Sequence, residues 1–282
     1  MTEPRDVEGV RVATVQMVSG ERLEDNLAQA ATLLAEVAAA GASVAVLPEN
    51  FAILKTAQMV AQGQQEIGGG EIRDFLAEQA RSLGLWIVGG SLPLAEREDG
   101  SSVADRVRAC CLVLDDQGRE VARYDKIHLF DAEVADAQGR YRESDTFEPG
   151  ERVVTVDTPA GRLGLAICYD LRFPELFRAL RQQQADWVAL PSAFTYTTGD
   201  AHWHPLIRAR AIENQCWLVA AGQGGYNSPR RRTYGHSMIV DPWGSVVAEQ
   251  QEEGPGWVMA ALDPRRLQEV RQRMPVWDHR RL

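Results

Sequence analysis

Short apolar runs of strand length alternate with longer segments of helical periodicity along most of this 282-residue chain. The run 43–47 is short, apolar and bounded by polar or turn-forming residues, which is typical of a buried strand. The segment 26–40 instead repeats apolar residues at helical spacing and ends at a glycine. Because strands are interspersed with both helices and hairpins, the pattern predicts an α/β fold in which helices cover mixed sheets.

The same criteria applied along the chain give a full set of predicted elements. We predict strands at 11–17, 43–47, 85–91, 106–115, 120–124, 153–158, 163–168, 187–190, 217–221, 237–241, 246–249 and 257–262. We predict helices at 26–40, 71–83, 174–184, 202–214 and 264–273, and a polar loop at 131–150. No stretch has a linker composition, so we expect one domain over 1–282, with a core at about 10–262 and a C-terminal helix and tail at 263–282.

Charge and composition exclude several classes of partner. A net charge of -10 disfavours binding to nucleic acid or to an anionic membrane surface. No apolar run approaches the roughly 20 residues needed to cross a bilayer. The first ten residues lack the basic and apolar blocks of a signal peptide, which predicts a cytoplasmic protein. The four cysteines form no C-x-x-C pair, so we expect neither structural disulfides nor a zinc ribbon; they are Cys110, Cys111, Cys168 and Cys216.

Three ionisable residues stand where an apolar strand stops. Glu49 follows one such run, Lys126 follows a second and Cys168 a third. Residues at strand ends converge at one edge of a sheet, where α/β enzymes usually place their sites. A carboxylate can accept the proton of a thiol nucleophile, and an ammonium group can stabilise an oxyanion. The backbone N–H of Tyr169, directly after the thiol, is a second candidate oxyanion donor.

Each of these three residues also has a structural interpretation. A cysteine that closes an apolar strand is most often a small core residue. A glutamate after a proline is compatible with a helix start, and the lysine is compatible with a solvated loop. From the residues alone, both interpretations stay open.

Three sequence blocks carry a resemblance to a known family. The segments LPEN (47–50), YDKIHLFD (124–131) and GLAICYDLRFPELFR (164–178) resemble, in order and spacing, the signature blocks of the nitrilase or carbon–nitrogen hydrolase superfamily. The resemblance extends from about residue 10 to the end. It implies a four-layer α-β-β-α sandwich, a Glu-Lys-Cys triad at Glu49, Lys126 and Cys168, and a second glutamate at Glu143 that orients the lysine. It also implies amide hydrolysis through a thioester, with no cofactor and no metal.

Several residues near the blocks are candidates for substrate binding. In related amidases the arginine at the position of Arg172 binds a substrate carboxylate, and the alternative is a salt bridge to Glu175 or Asp170. Four further candidates, each with a core-packing alternative, are Phe130, Phe194, Thr195 and Thr198. The two histidines of the HWH motif (202–204) have no third metal ligand nearby in the sequence, which favours packing or hydrogen bonding at a helix start.

The second half of the chain resembles one branch of the superfamily more than another. Blocks such as RARAIENQC (208–216) and YGHSMIVDPWG (234–244) are similar to the deaminated glutathione amidases, whereas the ω-amidases fit them less well. Both branches leave the same acyl half on the cysteine and differ in the leaving group. The loop that carries Arg230, Arg231 and Arg232 is a candidate for binding the glycine carboxylate of the longer substrate, or else an ordinary solvated loop.

These observations predict a small-molecule amide bearing carboxylates as the substrate. Alternatives are an ω-amidase acting on α-ketoglutaramate and, in another class, a catalytically silent interaction protein with the same fold. The resemblance also predicts a homodimer. Within the RARAIEN segment, the spacing of Arg210 and Glu213 predicts an ion pair on one helix face.

Overall fold

Alternate side chains of the first strand, Val10–Gln16, face two different layers in the computed structural model, which describes residues 9–281. Ala13 and Val15 pack against helices, whereas Val12 packs against a second sheet. This period of two is the one expected for a strand that is covered on both faces. It places the first strand in one of two central layers.

The strands form two large sheets and two small hairpins. In chain order they are β1 (Val10–Gln16), β2 (Val44–Val46), β3 (Trp86–Val88), β4 (Leu92–Leu94), β5 (Arg108–Leu114), β6 (Glu120–Asp125), β7 (Asp131–Glu133), β8 (Arg140–Arg142), β9 (Thr155–Thr158), β10 (Gly161–Leu165), β11 (Trp187–Ser192), β12 (Trp217–Gly222), β13 (Gly224–Ser228), β14 (Arg231–Tyr234), β15 (Met238–Val240), β16 (Val246–Glu249) and β17 (Gly256–Leu262). The first sheet has the order β17-β1-β2-β3-β5-β4, with β6 also paired to β5, and the second has the order β16-β15-β12-β11-β10-β9. The hairpins are β7–β8 and β13–β14.

Within the described residues, six α-helices cover the outer faces of the sheets or connect strands. They are α1 (Leu23–Ala39), α2 (Thr56–Gln65), α3 (Glu71–Leu83), α4 (Pro174–Gln182), α5 (Tyr196–Asn214) and α6 (Pro264–Arg273). The apolar faces of α1 and α3 share one core with the first sheet. The apolar faces of α4 and α5 pack on the second sheet. None of the helices in the described part of the chain is long and apolar enough to span a membrane.

The two sheets pack directly on each other. Val44, Val46 and Val88 of the first sheet belong to the same buried cluster as Leu218 and Val219 of the second. A side-chain hydrogen bond of 2.8 Å from Thr14 Oγ1 to the carbonyl oxygen of Ala220 also joins them. The order of layers is helix, sheet, sheet, helix. The predicted four-layer α-β-β-α sandwich is therefore confirmed.

Most predicted elements are confirmed, and the differences have physical causes. The helix predicted at 202–214 begins six residues earlier, at Tyr196, because Thr195 accepts a hydrogen bond from the amide of Thr198 and acts as its N-cap. The strand predicted at 163–168 ends at Leu165. The loop predicted at 131–150 contains the β7–β8 hairpin and a short 3-10 helix, Glu143–Asp145. The prediction of one domain is not tested by the fold and stays a prediction.

Candidate active site

Three charged side chains from separate segments meet in the interior. The ammonium nitrogen of Lys126 lies 2.7 Å from Oε1 of Glu49 and 2.9 Å from each carboxylate oxygen of Glu143. The backbone N–H of Phe130 donates a hydrogen bond of 2.6 Å to Glu143. Lys126 is 1% exposed, so its charge depends on these two carboxylates rather than on water. The predicted residues Glu49, Lys126 and Glu143 thus form one cluster.

A tight turn after β2 positions Glu49. Gly90 packs so closely on this turn that a Cβ atom there would lie 2.2 Å from the carbonyl oxygen of Pro48, and its φ is +59°. Both observations require glycine at that position. The side-chain amide of Gln223 donates to the carbonyl oxygen of Glu49 at 3.1 Å, from the second sheet. Contacts from both sheets therefore fix the backbone that carries this carboxylate.

The backbone of Lys126 is fixed just beyond the end of β6. Its amide donates to the carbonyl oxygen of Ala109 at 3.0 Å, and its carbonyl oxygen accepts from Gly150 at 2.8 Å. A Cβ atom on Gly150 would lie 2.1 Å from the carbonyl oxygen of Asp125, so the segments approach at a distance that only glycine allows. The side chain of Lys126 therefore extends from a backbone that is held on two sides.

Cys168 occupies a turn, not the end of a strand. Its φ is +47°, in the left-handed region that few residues other than glycine adopt, and it begins a 3-10 helix, Cys168–Arg172. Strain of this kind is concentrated at functional sites. The predicted strand ending at Cys168 was wrong, because the chain leaves the sheet after Leu165 and turns to direct the thiol toward the charged cluster.

Asp170 joins the cysteine turn to the lysine segment. This fully buried carboxylate accepts from the amide of Ile167 at 2.8 Å and from the hydroxyl of Tyr124 at 2.7 Å. It also accepts from the amide of His128 at 3.1 Å and lies 2.7 Å from that residue's ring Nδ1. The sequence predictions assigned no function in the site to Tyr124, His128 or Asp170. All three lie inside the blocks that carry the family resemblance, and that position was the signal by which they could have been found.

Burial and neighbouring charges set the protonation of the cluster. Burial raises the pKa of the Cys168 thiol well above its ordinary value; the Glu49 carboxylate adds to this, and Lys126 opposes it. Burial likewise raises the pKa of Glu143, against the effect of the lysine. For Lys126, burial disfavours the ammonium form, but the two carboxylates outweigh it and raise its pKa. These raised pKa values mean that a neutral thiol lies beside a charged lysine.

Cys168 lies where two cavities meet. The larger has a volume of about 260 Å³ and includes Glu49, Lys126, Glu143 and Arg231 in its wall. The smaller, of about 20 Å³, is lined by Cys168, Ala193 and all six residues predicted to bind substrate, which are Phe130, Tyr169, Arg172, Phe194, Thr195 and Thr198. The thiol therefore faces open space on the side of the larger cavity and only a narrow space on the side of the smaller one.

The alternative prediction of a salt bridge from Arg172 to Glu175 or Asp170 was wrong. Asp170 is occupied by the contacts described above, and within residues 9–281 Arg172 has no ion pair with Glu175. Its guanidinium group instead lies 3.1 Å from Nδ1 of His202 and 5.2 Å from the ring centroid of Phe194. In the part of the chain that the structure describes, Arg172 is thus a cation without a carboxylate partner in the wall of the smaller cavity.

The arginine run 230–232 is predicted from the sequence to lie in a loop. The structure differs, because Arg231 begins β14 of the β13–β14 hairpin. Arg232 pairs with Glu253 outside the cavity, and Arg230 is exposed. Only Arg231 reaches the larger cavity, where its guanidinium carbon lies 5.8 Å from the ring centroid of Tyr141. Its Nε is buried and has no hydrogen-bond partner among the described residues.

Two further predictions concern α5. The ion pair between Arg210 and Glu213 is confirmed, at 2.9 Å. The histidines of the HWH motif lie in the second turn or beyond, not at the helix start, so that part of their prediction was wrong. Their hydrogen-bonding role is confirmed, because His202 contacts Arg172 and His204 contacts Glu249.

Comparison with known proteins adds a family and a set of relatives. The carbon–nitrogen hydrolase family model matches residues 11–272. The deaminated glutathione amidase of Yersinia enterocolitica is 42% identical over 98% of this chain and 94% of its own length. Nit3 of Saccharomyces cerevisiae, a member of branch 10 of the nitrilase superfamily, has a TM-score of 0.85 and 32% identity over 98% of this chain and 97% of its own. The NitFhit protein of Caenorhabditis elegans has a TM-score of 0.84 and 37% identity over 97% of this chain, which spans 65% of that longer protein.

Proposed function

Because this chain belongs to the carbon–nitrogen hydrolase family, we propose that its amidase activity is directed at deaminated glutathione, which it cleaves to α-ketoglutarate and cysteinylglycine. The chain is an amidase, a hydrolase of carbon–nitrogen bonds in linear amides. The observation that carries the substrate assignment is the larger cavity beside Cys168, whose wall includes Arg231, a residue with a buried side-chain nitrogen that has no hydrogen-bond partner among the described residues.

In the proposed first step, the sulfur of Cys168 bonds to the amide carbonyl carbon while Glu49 accepts the thiol proton. The carbonyl π electrons move to oxygen, and the resulting oxyanion is held by Lys126 and the N–H of Tyr169. Glu49 is suited to the role of base because it contacts both the thiol and the lysine. The raised pKa of the thiol means that proton transfer accompanies the attack on the carbonyl carbon.

In the second step the carbon–nitrogen bond breaks, and the leaving amine takes the proton that Glu49 holds. Water then attacks the thioester, Glu49 accepts a water proton, and the sulfur leaves with that proton as the thiol. Glu143 does not exchange protons in this scheme. Its two contacts of 2.9 Å fix the ammonium group of Lys126 in the orientation that the oxyanion needs.

We assign the acyl half of the substrate to the side of the smaller cavity. That half carries an α-keto acid, whose carboxylate needs a cation and hydroxyl or amide donors. Arg172 supplies the unpaired cation, and Thr195 and Thr198 supply hydroxyl groups. The rings of Phe194 and Tyr169 flank the guanidinium group at 5.2 and 5.8 Å and hold it in place. The volume of about 20 Å³ requires these side chains to move apart when the acyl group enters.

We assign the leaving group to the larger cavity. Ammonia, the leaving group of an ω-amidase substrate, needs neither this volume nor a second cation. Cysteinylglycine has a terminal carboxylate, and Arg231 lies in the cavity wall with a buried nitrogen for which residues 9–281 supply no partner. A buried unpaired donor is costly, and a carboxylate would satisfy it. This feature favours the longer substrate over α-ketoglutaramate.

The direct test is to supply the purified protein with deaminated glutathione and with α-ketoglutaramate and to measure α-ketoglutarate release. We expect the larger kcat/KM for deaminated glutathione and no release by Cys168→Ala. Faster turnover of α-ketoglutaramate would move the assignment to ω-amidase. Absence of turnover on a panel of amides, together with no alkylation of Cys168 by iodoacetamide, would favour the silent interaction protein instead.

We further propose that the chain forms a homodimer through the exposed edge of α5 and the β15–β16 hairpin. Four large apolar side chains are exposed there: Ile212, Trp243, Val246 and Val247. Exposed apolar residues grouped in this way commonly mark an interface. Light scattering coupled to gel filtration should give twice the chain mass, and a monomer at micromolar concentration would contradict the proposal. The cytoplasmic location stays a prediction from the sequence.

A further inference from the structure

Two histidines and a glutamate converge at a place that belongs to the wall of neither cavity. His204 comes from α5, His236 precedes β15, and Glu249 ends β16. Glu249 Oε1 lies 2.8 Å from His204 Nε2 and 2.7 Å from His236 Nδ1. One side-chain atom from each of the three residues lies within 4.8 Å of the others. Each of these atoms is of a kind that binds metal ions.

The surrounding structure holds this cluster in place. His236 has a φ of +53°, which is unfavourable for a histidine, and Trp203 stabilises that backbone through a hydrogen bond of 2.8 Å to its carbonyl oxygen. The ring of Tyr234 stacks on His236 with centroids 4.4 Å apart. Glu249 lies opposite Met238 in the antiparallel pair β15–β16. The three side chains are therefore presented by helix and sheet rather than by a free loop.

We propose that His204, His236 and Glu249 bind one divalent transition metal ion of the Zn²⁺ class. Two imidazoles and one carboxylate suit such ions, whereas Mg²⁺ and Ca²⁺ prefer oxygen ligands alone. In a tetrahedral site with bonds of about 2.0–2.1 Å, neighbouring ligand atoms are ~3.3 Å apart. To reach that spacing, the glutamate oxygen would withdraw from each nitrogen by roughly half an ångström, and the two histidine nitrogens, which lie within 4.8 Å of each other, would adjust to the same separation. Water completes the fourth position.

Metal binding requires each imidazole to present a lone pair to the ion. Each neutral imidazole places its lone pair on the nitrogen that now faces Glu249 and carries its proton on the other nitrogen. The side chains are 32%, 27% and 15% exposed for His204, His236 and Glu249, which leaves a route for the ion and for a water ligand. The net charge of -10 favours the approach of a cation.

The site is separate from the proposed catalysis. None of its three residues lines either cavity beside Cys168. Its effect is to fasten α5 to the edge of the second sheet, so the expected result is stabilisation. Sequence reasoning considered only the HWH motif and found no third ligand near it, because the two other ligands follow far along the chain, after β14 and within β16.

The test uses the full chain carrying Cys168→Ala, which removes the partly accessible thiol as a competing ligand. After dialysis against a chelator, the protein is titrated with Zn²⁺ in a calorimeter and with Co²⁺ in a spectrophotometer. We expect one equivalent of Zn²⁺ per chain and a rise in Tm on binding. The Co²⁺ form should show the intense visible bands of a tetrahedral site without a thiolate charge-transfer band.

Variants in the same background assign the ligands. His204→Ala and Glu249→Gln should each weaken Zn²⁺ binding by ~100-fold or more, since loss of a direct ligand exceeds the ~10–100-fold effect of an outer contact. His202→Ala, which removes an imidazole from the same helix, should leave the affinity unchanged. Glu249→Gln preserves volume, and its Tm without metal shows whether it is folded. Less than one equivalent of Zn²⁺, equal affinity in all variants, or a thiolate band with Co²⁺ would overturn the proposal.

Discussion

Two charged clusters in this molecule, one buried and one partly exposed, each lie beside a cysteine, and the consecutive residues Asp125 and Lys126 belong to different clusters. The first, here termed the lysine cluster, consists of Glu49, Lys126 and Glu143 beside Cys168. The second, here termed the arginine cluster, lies beside Cys110 and consists of Arg97, Arg108, Arg123, Asp125 and Glu148. Burial raises the pKa of the thiol in both places, so protonation alone does not distinguish them.

The clusters differ in what their charged groups are bound to. Cys110 is fully buried and lies 2.9 Å from Asp125, whose carboxylate is also bound by Arg108 and Arg123. Arg97 binds Glu148 through two hydrogen bonds of 2.7 and 2.8 Å. The arginine cluster borders an open cavity of about 620 Å³, larger than either cavity at Cys168, yet Cys110 does not line it.

The lysine cluster instead faces a cavity whose wall also includes a hydrogen-bond donor without a partner among the described residues. Cys168 opens into it, and the Nε of Arg231 has no partner among the described residues. The difference teaches that neither a thiol beside charges nor a large cavity marks a reaction site. The proposed site is distinguished by a thiol that opens into a cavity whose wall includes a polar group without a partner in the described part of the chain.

The largest effect is expected from the two thiols. Cys168→Ala should lower kcat/KM by at least ~10⁴-fold, because it removes the proposed nucleophile that forms the thioester. Cys110→Ala should keep activity within a few-fold and lower the free energy of unfolding by about 1–2 kcal/mol, since it leaves a small void and a partly unpaired aspartate. Steady-state kinetics and urea unfolding check both. Comparable activity losses in the two variants would remove the distinction between the clusters.

The carboxylates beside the two thiols should differ in the same way: substitution of Glu49 should lower activity, and substitution of Asp125 should lower stability. Glu49→Gln should lower kcat/KM by ~10²–10⁴-fold because it removes the general base. Asp125→Asn should leave turnover near the unmodified rate and destabilise the fold by about 1–3 kcal/mol, since it weakens two arginine contacts. Kinetics on purified, folded variants checks this pair. A Glu49→Gln variant that keeps most of its activity would exclude Glu49 as the base.

A smaller and substrate-dependent effect is expected for Arg231. Arg231→Ala should lower kcat/KM for deaminated glutathione by ~10–100-fold, the value of a lost charge-assisted contact of about 1.5–3 kcal/mol. It should leave α-ketoglutaramate turnover within ~2-fold, since that substrate has no second carboxylate on the leaving group. Arg230→Ala is the matched control, because its side chain is exposed and should affect neither substrate. Equal losses for both substrates would contradict the assigned role.

The smallest effect concerns acid stability. Contacts with Arg97 and Arg108 lower the pKa of Glu148 from 4.5 to about 2, so this carboxylate stabilises the fold above pH ~4.5 and loses that contribution as the pH falls toward 2. Solvent screening limits the contribution to about 1–2 kcal/mol. Glu148→Gln should therefore be less stable than the unmodified protein at pH 7, and the gap should narrow as the pH falls. Urea unfolding across this range measures it, and a constant gap would be inconsistent with the lowered pKa.

Much of the fold was predictable from the sequence because its strands and helices have clear apolar periods. The helices α3 and α6 have the predicted bounds. The helix α2 was missed because its buried face consists of Met59, Gln62 and Gly63, which gives little apolar signal. The β13–β14 hairpin was missed because its residues are polar and glycine-rich, and pairing between strands is not visible in local composition.

The site was predictable only in part. The sequence blocks pointed to Glu49, Lys126, Cys168 and Glu143, and the structure brings the charged three together. The contacts of Asp170 with Tyr124 and His128 were not predictable, since they depend on how two distant turns pack. The sequence also did not show that Arg231 alone of the three arginines reaches the larger cavity. That difference depends on the direction in which each side chain leaves the hairpin.

The most direct test of the proposed mechanism is to detect the acyl-enzyme. The protein is mixed with excess deaminated glutathione, quenched in acid within the first turnovers, and analysed by intact mass and by peptide mapping. The mechanism predicts an α-ketoglutaryl group on the peptide that contains Cys168, the same adduct with α-ketoglutaramate, and no adduct in Cys168→Ala. Turnover that persists in Cys168→Ala, or an acyl group found on another residue, would contradict it.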